Sequence, residues 1–278
     1  LKVIREYYHH YSGVDLHRKI HFLQASSHRK LLNQNLNILD EINKGATMGM
    51  DAISFVSNKE NFLKIWDAYA KKWSDFPRVI WQLGLRSGLD RPVWDSEKQV
   101  GNTPEERGRL ISEAIEQEYK IIKSNYKYPI VTTATLWMEG ADLLKDGNLL
   151  LPEDTIVVLS DIGMSSMFGD DFFKIKRDSY KKYGFYYHAA FFHTGPHLAE
   201  GLLPEKIEYS FNVARKFNND FYTILNVANI KDLLFSIFVD SKFAFYSETK
   251  LSDIFNQYAK FFTENEYDKL DRLKSLFY

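Results

Sequence analysis

The sequence predicts an α/β fold built on a parallel sheet. Two observations carry this. From about residue 57 the chain alternates amphipathic stretches with short, continuously apolar runs, and such runs suit strands buried on both faces. Polar residues then gather just past the apolar runs, where open parallel sheets and (β/α) barrels place ligands.

Residues 1–50 are polar and weakly patterned. One helix is expected there, over LLNQNLNILDEI, with Leu31, Leu32, Leu36, Ile38 and Leu39 on its apolar side, before KGATMGM breaks the pattern. Ser57 or Asn58 then starts a helix through ENFLKIWDAYAKKW, where Phe62, Ile65, Trp66 and Tyr69 share a face. RVIWQLGLR reads as a buried strand ending near Gly84 and Arg86. In TPEERGRLISEAIEQEYKII, Thr103 and Glu106 form a capping box with Pro104 at the first helical position. PIVTTATL is a strand, and WMEGADLLKDG a short helix stopped by Gly147. DTIVVLSD is an almost wholly apolar strand ending at Ser160 and Asp161, and YGFYYHAAFFHTG another ending near His193. Pro204 opens a helix, DFYTILNVAN is a strand ending at Asn226 and Asn229, and the chain from Lys250 onward is mostly helical. Strands are therefore expected near 78–83, 130–135, 155–160, 184–190 and 221–227, parallel in one sheet. Two regions follow: an N-terminal segment, 1–50, and a barrel-like catalytic domain, 51–278.

Composition narrows the function. The 278 residues carry 36 Lys and Arg against 37 Asp and Glu. This balance lacks the basic excess of a nucleic-acid binder. No apolar run approaches the ~18 residues of a membrane span. LKVIREYYHH is charged and aromatic where a leader would be apolar. Cysteine is absent, which excludes disulfides, a Cys nucleophile and thiolate metal sites. The aromatic content of 15% is read first as large core side chains and only then as sugar-stacking surface.

Several groups invite chemistry. His188, His193 and His197 lie close together in sequence, but His188 and His193 are five apart and point to opposite faces of a strand, so no shared metal is expected. Asp161 ends a buried apolar run, an environment that raises a carboxyl pKa and suits a general acid; its plainer role is a turn cap. Glu139 sits just beyond a strand, as a second carboxylate or as ordinary first-turn helix chemistry. Asp170 and Asp171 read as caps of the next segment rather than calcium ligands. Arg86, between Gly84 and Gly88, is able to hold an anion. No P-loop, GxGxxG, GxSxG or HExxH motif occurs.

Read in order, SSHRKLLN, SNKENFLKIWDAYAKKW, VIWQLGLRSGLD, TPEERGRLISEAIEQEYKII, LPEDTIVVLSD, FYYHAAFFHTGP and YTILNVANIKDLLFSIF resemble the catalytic barrel of glycoside hydrolase family 115, the xylan α-1,2-glucuronidases. The likeness runs collinearly over about residues 26–262. It implies a (β/α)8-type TIM barrel, here expected to be incomplete in its first strands, and removal of glucuronic or 4-O-methylglucuronic acid branches from xylan with inversion. Asp161 and Glu139 would then be the catalytic carboxylates. Arg86 and Lys231 would face the sugar carboxylate, Tyr187, His188 and His193 would bind the substrate, and Asn226 would orient sugar or water. The resemblance implies a uronic-acid-bearing carbohydrate as partner, no cofactor and no metal, flanking domains in a longer chain, and a secreted or periplasmic setting.

The sequence also departs from the family pattern. Asp161 stands alone where the family has paired aspartates. Ala228 and Asn229 replace Gly-Asp, Leu234 stands in place of a glutamate, and Lys30 occupies another acidic position. These losses define a rival expectation: a non-catalytic carbohydrate-binding or structural descendant of the same barrel.

Overall fold

A computed structural model describes residues 2–6, 55–85, 92–96, 99–191, 200–227 and 230–261; for 2–6, Ser96 and Lys231 it describes the backbone alone. The elements are β1 (Lys2–Glu6), α1 (Lys59–Trp73), β2 (Ile80–Leu83), α2 (Val93–Ser96), α3 (Pro104–Asn125), β3 (Val131–Leu136), α4 (Met138–Lys145), β4 (Ile156–Ser160), α5 (Asp170–Lys174), β5 (Tyr183–His188), α6 (Pro204–Lys216) and β6 (Tyr222–Val227). A 3-10 turn (Lys231–Leu233), α7 (Leu234–Phe245) and α8 (Leu251–Ala259) follow.

The strands form one sheet in the order β1-β6-β5-β4-β3-β2. The pairings of β1 with β6, β5 with β6 and β2 with β3 are all parallel. With the first strand beside the last, this is the order of an incomplete (β/α) barrel, with six strands among the described residues. The fold class is therefore the predicted one, and β2 to β6 fall on the five predicted runs. The expected helix over residues 31–42 lies outside the described residues.

Two compact units divide the chain, the division falling within β4. The first comprises Leu1–Tyr8, Val158–Phe173 and Tyr183–Tyr278. Its core is aromatic: Phe168 stacks on Phe172 with centroids 3.9 Å apart, and Phe185 meets Phe211 edge-on at 5.0 Å. α7 buries Phe235, Ser236, Val239, Asp240 and Phe243 on one face. The second unit comprises His9–Val157 and Lys174–Lys182. There α1 buries the predicted Phe62, Ile65, Trp66 and Tyr69, and Trp66 packs with Phe55 and Phe62. α3 starts at the predicted capping box, with Thr103 Oγ1 accepting from Glu106 N and Glu106 Oε2 from Thr103 N, each at 3.2 Å. Gly147, at φ +77°, ends α4 as predicted. Asp170 and Asp171 fall in the first turn of α5, where acidic side chains suit the helix dipole.

Candidate functional site

In the first unit, strand endings bring the predicted groups together. Asp161 follows β4 directly and His188 is the last residue of β5. One carboxylate oxygen of Asp161, Oδ2, accepts from the His188 backbone N–H at 3.1 Å. The other, Oδ1, meets the His188 ring at Nδ1. The Asp161 N–H donates to the Tyr186 carbonyl at 3.1 Å. The pair is buried, with side-chain exposures of 0% for Asp161 and 4% for His188. A carboxylate on Nδ1 holds that nitrogen as the N–H donor, which leaves the lone pair of the neutral ring on Nε2.

The turn after Asp161 is tight. Ile162 and Met167 pair as an antiparallel bridge, and Ser166 adopts φ +51° while its hydroxyl donates to the His188 carbonyl at 3.2 Å. Gly163 is required there, because a Cβ would lie 2.1 Å from the Phe191 ring. That ring packs edge-on against His188 at 5.2 Å. In the β5–β6 register His188 lies opposite Asn226. The Asn226 carbonyl accepts from Ala189 N and Ala190 N at 3.0 and 3.1 Å, which ties the two strand ends together.

Tyr187, adjacent to His188 on a strand, points to the opposite face. It is fully buried. Burial holds its phenol far above the usual pKa, and the charges of Asp240 and Asp161 add to the rise.

Two carboxyl groups escaped the sequence reading. Asp240, on α7, is buried, and neither of its oxygens has a hydrogen-bond partner among the described residues. Burial first, then the charges of Glu200 and Asp161, push its pKa well above the carboxylate range. Glu200 is held by the start of α7: Oε1 accepts from Phe235 N at 2.7 Å and Ser236 N at 3.1 Å, and Oε2 from the Ser236 hydroxyl at 2.6 Å. Asp240 was detectable as the lone acid within LFSIFVDSKFAF, on the face that the spacing 235, 236, 239, 240 and 243 defines. Glu200 carries no comparable signal.

The remaining expected residues divide. Glu139 lies in the first turn of α4, in the second unit, and lines a cleft there. Arg86 and His193 lie outside the described residues, as do Asn229 and the side chain of Lys231. Among the described residues no group of three or more His, Cys, Asp or Glu is placed to hold a metal, and no helix is long and apolar enough to cross a membrane.

Parallel strands in barrel order, with carboxyl and imidazole groups at their ends, define a (β/α)-barrel protein. The model of glycosyl hydrolase family 115 matches residues 14–275, and the chain belongs to that family. Among solved structures it is similar to BtGH115A, described as a family GH115 4-O-methyl-α-glucuronidase with specificity for decorated arabinogalactans. The TM-score is 0.63 and the identity 18%, over 78% of this chain and 28% of that one. The chain thus spans little more than a quarter of that neighbour. Thermotoga maritima Cel5A, solved with cellobiose, aligns with a TM-score of 0.39 and 14% identity, over 77% of this chain and 76% of that one. No curated protein matches the sequence.

Proposed function

We propose that the chain is the strand-bearing part of a glycoside hydrolase that removes glucuronic or 4-O-methylglucuronic acid branches from xylan with inversion. The observation that carries this reading is the Asp161–His188 pair at neighbouring strand ends, with Asp240 and Glu200 in electrostatic reach. Inverting hydrolysis needs one group that donates a proton to the leaving oxygen and one carboxylate that activates water. Three carboxyl groups close together cannot all ionise freely. Burial pushes the Asp240 carboxyl well above the usual carboxylate range, which favours its acid form beside the other two carboxyl groups. Both Asp161 oxygens are bonded to His188, so Asp161 acts by fixing the imidazole, and His188 is the group offered to the sugar. Asn226 orients the sugar or the water, and Tyr187 backs the site from the opposite face. Arg86 and Lys231 are the proposed partners of the sugar carboxylate.

The same burial favours a second reading. An Asp161 side chain with no exposure, and with both oxygens engaged, suits a pocket that binds acidic sugars without turning them over. Proton NMR of glucuronoxylan fragments incubated with the whole chain decides between them. Hydrolysis predicts slow release of the β-anomer of the uronic acid, reduced about 10²–10⁴-fold by Asp161→Ala. Absence of release, with calorimetric binding retained, overturns hydrolysis and leaves the binding reading.

A further inference from the structure

α7 has no local device to start it. The residue before it, Leu233, offers no side-chain cap, and its first turn holds no acidic residue. The first N–H groups of a helix need partners from outside it. Glu200, just before α6, supplies them. Its Oε1 accepts from Phe235 N at 2.7 Å and Ser236 N at 3.1 Å, and its Oε2 from the Ser236 hydroxyl at 2.6 Å. Phe235 and Ser236 are the second and third residues of α7, the positions that an N-cap side chain serves. The far end of α7 is held from the far end of α6. Arg215, in the last turn of α6, donates through Nη2 to the Phe243 carbonyl, and to the Tyr246 carbonyl at 3.5 Å. The lengths match: α6 has 13 residues and α7 has 12, so each runs about 18–20 Å. A carboxylate meets the start of α7 and a guanidinium its end, the signs that a helix dipole favours.

We propose that Glu200 and Arg215 form a two-point clamp on α7 that positions Asp240 within electrostatic reach of the Asp161–His188 pair. Glu200 is the positioning residue at the critical end. Ser236, which it grips, and Asp240 share the buried face of α7 one turn apart, so their Cβ atoms lie about 5–6 Å from each other. A slip of α7 by one residue would turn Asp240 about 100° away from that face. A grip at one end leaves the helix free to slip or fray; grips at both ends do not. Charge adds a second effect. After burial, the carboxylates of Glu200 and Asp161 raise the Asp240 pKa. Tyr187 on β5 also faces Asp240, Tyr258 on α8 packs on Phe235 at 4.9 Å, and α6 contributes Arg215. Glu200 thus places Asp240 and favours its acid form. The consequence for turnover rests on the hydrolase reading of the chain; the clamp itself does not.

Carboxyl-carbon NMR of the whole chain, labelled at aspartate and assigned with Asp240→Asn, follows the pH at which Asp240 loses its proton. Glu200→Gln keeps one acceptor oxygen but loses the charge, and should lower that midpoint by about one pH unit. Glu200→Ala should lower it further and speed amide hydrogen exchange at Phe235, Ser236 and the following turn by roughly tenfold. Arg215→Met should speed exchange at the opposite end of α7. Thr103→Ala, which loosens α3 in the second unit, should move neither quantity and controls for a general loss of stability. If Glu200→Ala does not fold, the milder Glu200→Gln still gives the midpoint. In the uronic-acid release assay Glu200→Gln should lower kcat by up to about tenfold and leave KM nearly unchanged. A midpoint that stays in place in Glu200→Gln, or that moves as far in Thr103→Ala, overturns the clamp, as does unaltered exchange in a folded Glu200→Ala. Movement of both quantities in a chain that releases no uronic acid sinks the hydrolase reading and keeps the clamp. Uronic-acid release in a chain where neither moves does the reverse.

Discussion

The two units end their parallel strands in opposite chemistry. In the first, β4, β5 and the flanking α7 supply acid, imidazole and phenol groups that are buried, with Asp161 bonded to His188. In the second, β2 and β3 end against indole rings and the Glu139 carboxylate, in a cleft partly open to solvent. Strand topology is alike in both. What differs is the side chain at the last strand position and what the next helix packs over it. Parallel strand ends offer a place, and burial decides whether polar groups there serve each other or a ligand.

The sharpest test of that contrast is Asp161→Ala. It removes both acceptors of His188 and leaves buried donors unpaired, at a cost of roughly 1–3 kcal/mol in stability. Uronic-acid release should fall by about 10²–10⁴-fold. Unfolding in urea and the release assay measure both; unchanged values in each would mean the pair is incidental. Gly163→Ala comes next. Its new Cβ must displace the Phe191 ring that packs on His188, so it should destabilise by roughly 1–3 kcal/mol, the range of overpacked cores. An unaltered melting temperature would show that the turn is looser than it looks.

Asp240 tests the electrostatics, and the sign is definite. Its folded pKa lies above that of the unfolded chain, so between the two values the folded state holds the extra proton and stability falls as pH rises. Asp240→Asn carries no charge and lacks this slope. Melting curves of the two proteins should converge near pH 4, and the variant should be the more stable at pH 7; parallel curves would refute the buried proton. The smallest effect belongs to the second unit. Thr103→Ala removes one half of the capping box of α3 and should cost about 1 kcal/mol. Circular dichroism melts measure it, and uronic-acid release normalised to folded protein should not change.

Much of this was legible in the sequence. The apolar runs became β2 to β6, and Thr103, Pro104 and Gly147 placed helix ends correctly. Two elements were not legible. KVIRE is five residues of mixed character whose partner, β6, lies more than 200 residues along the chain. α7 is apolar nearly all round, so it lacks the polar face that makes a helix stand out. At the site, Asp161 and His188 were recognisable singly as polar residues at strand ends. Their joining was not, because it depends on how β4 and β5 sit side by side across 27 residues.

The sequence by itself determined the local elements, the parallel α/β class and the family, since apolar periodicity, caps and motif order are properties of short stretches read in succession. Only the tertiary structure decided which charges meet. It brought Glu200 and Asp240 within reach of Asp161 and buried Tyr187 completely. It also set Glu139 beside Trp94 and Trp137. The physical reason is that a carboxyl group's protonation and partners depend on its burial and its neighbours across the fold, which no local pattern encodes.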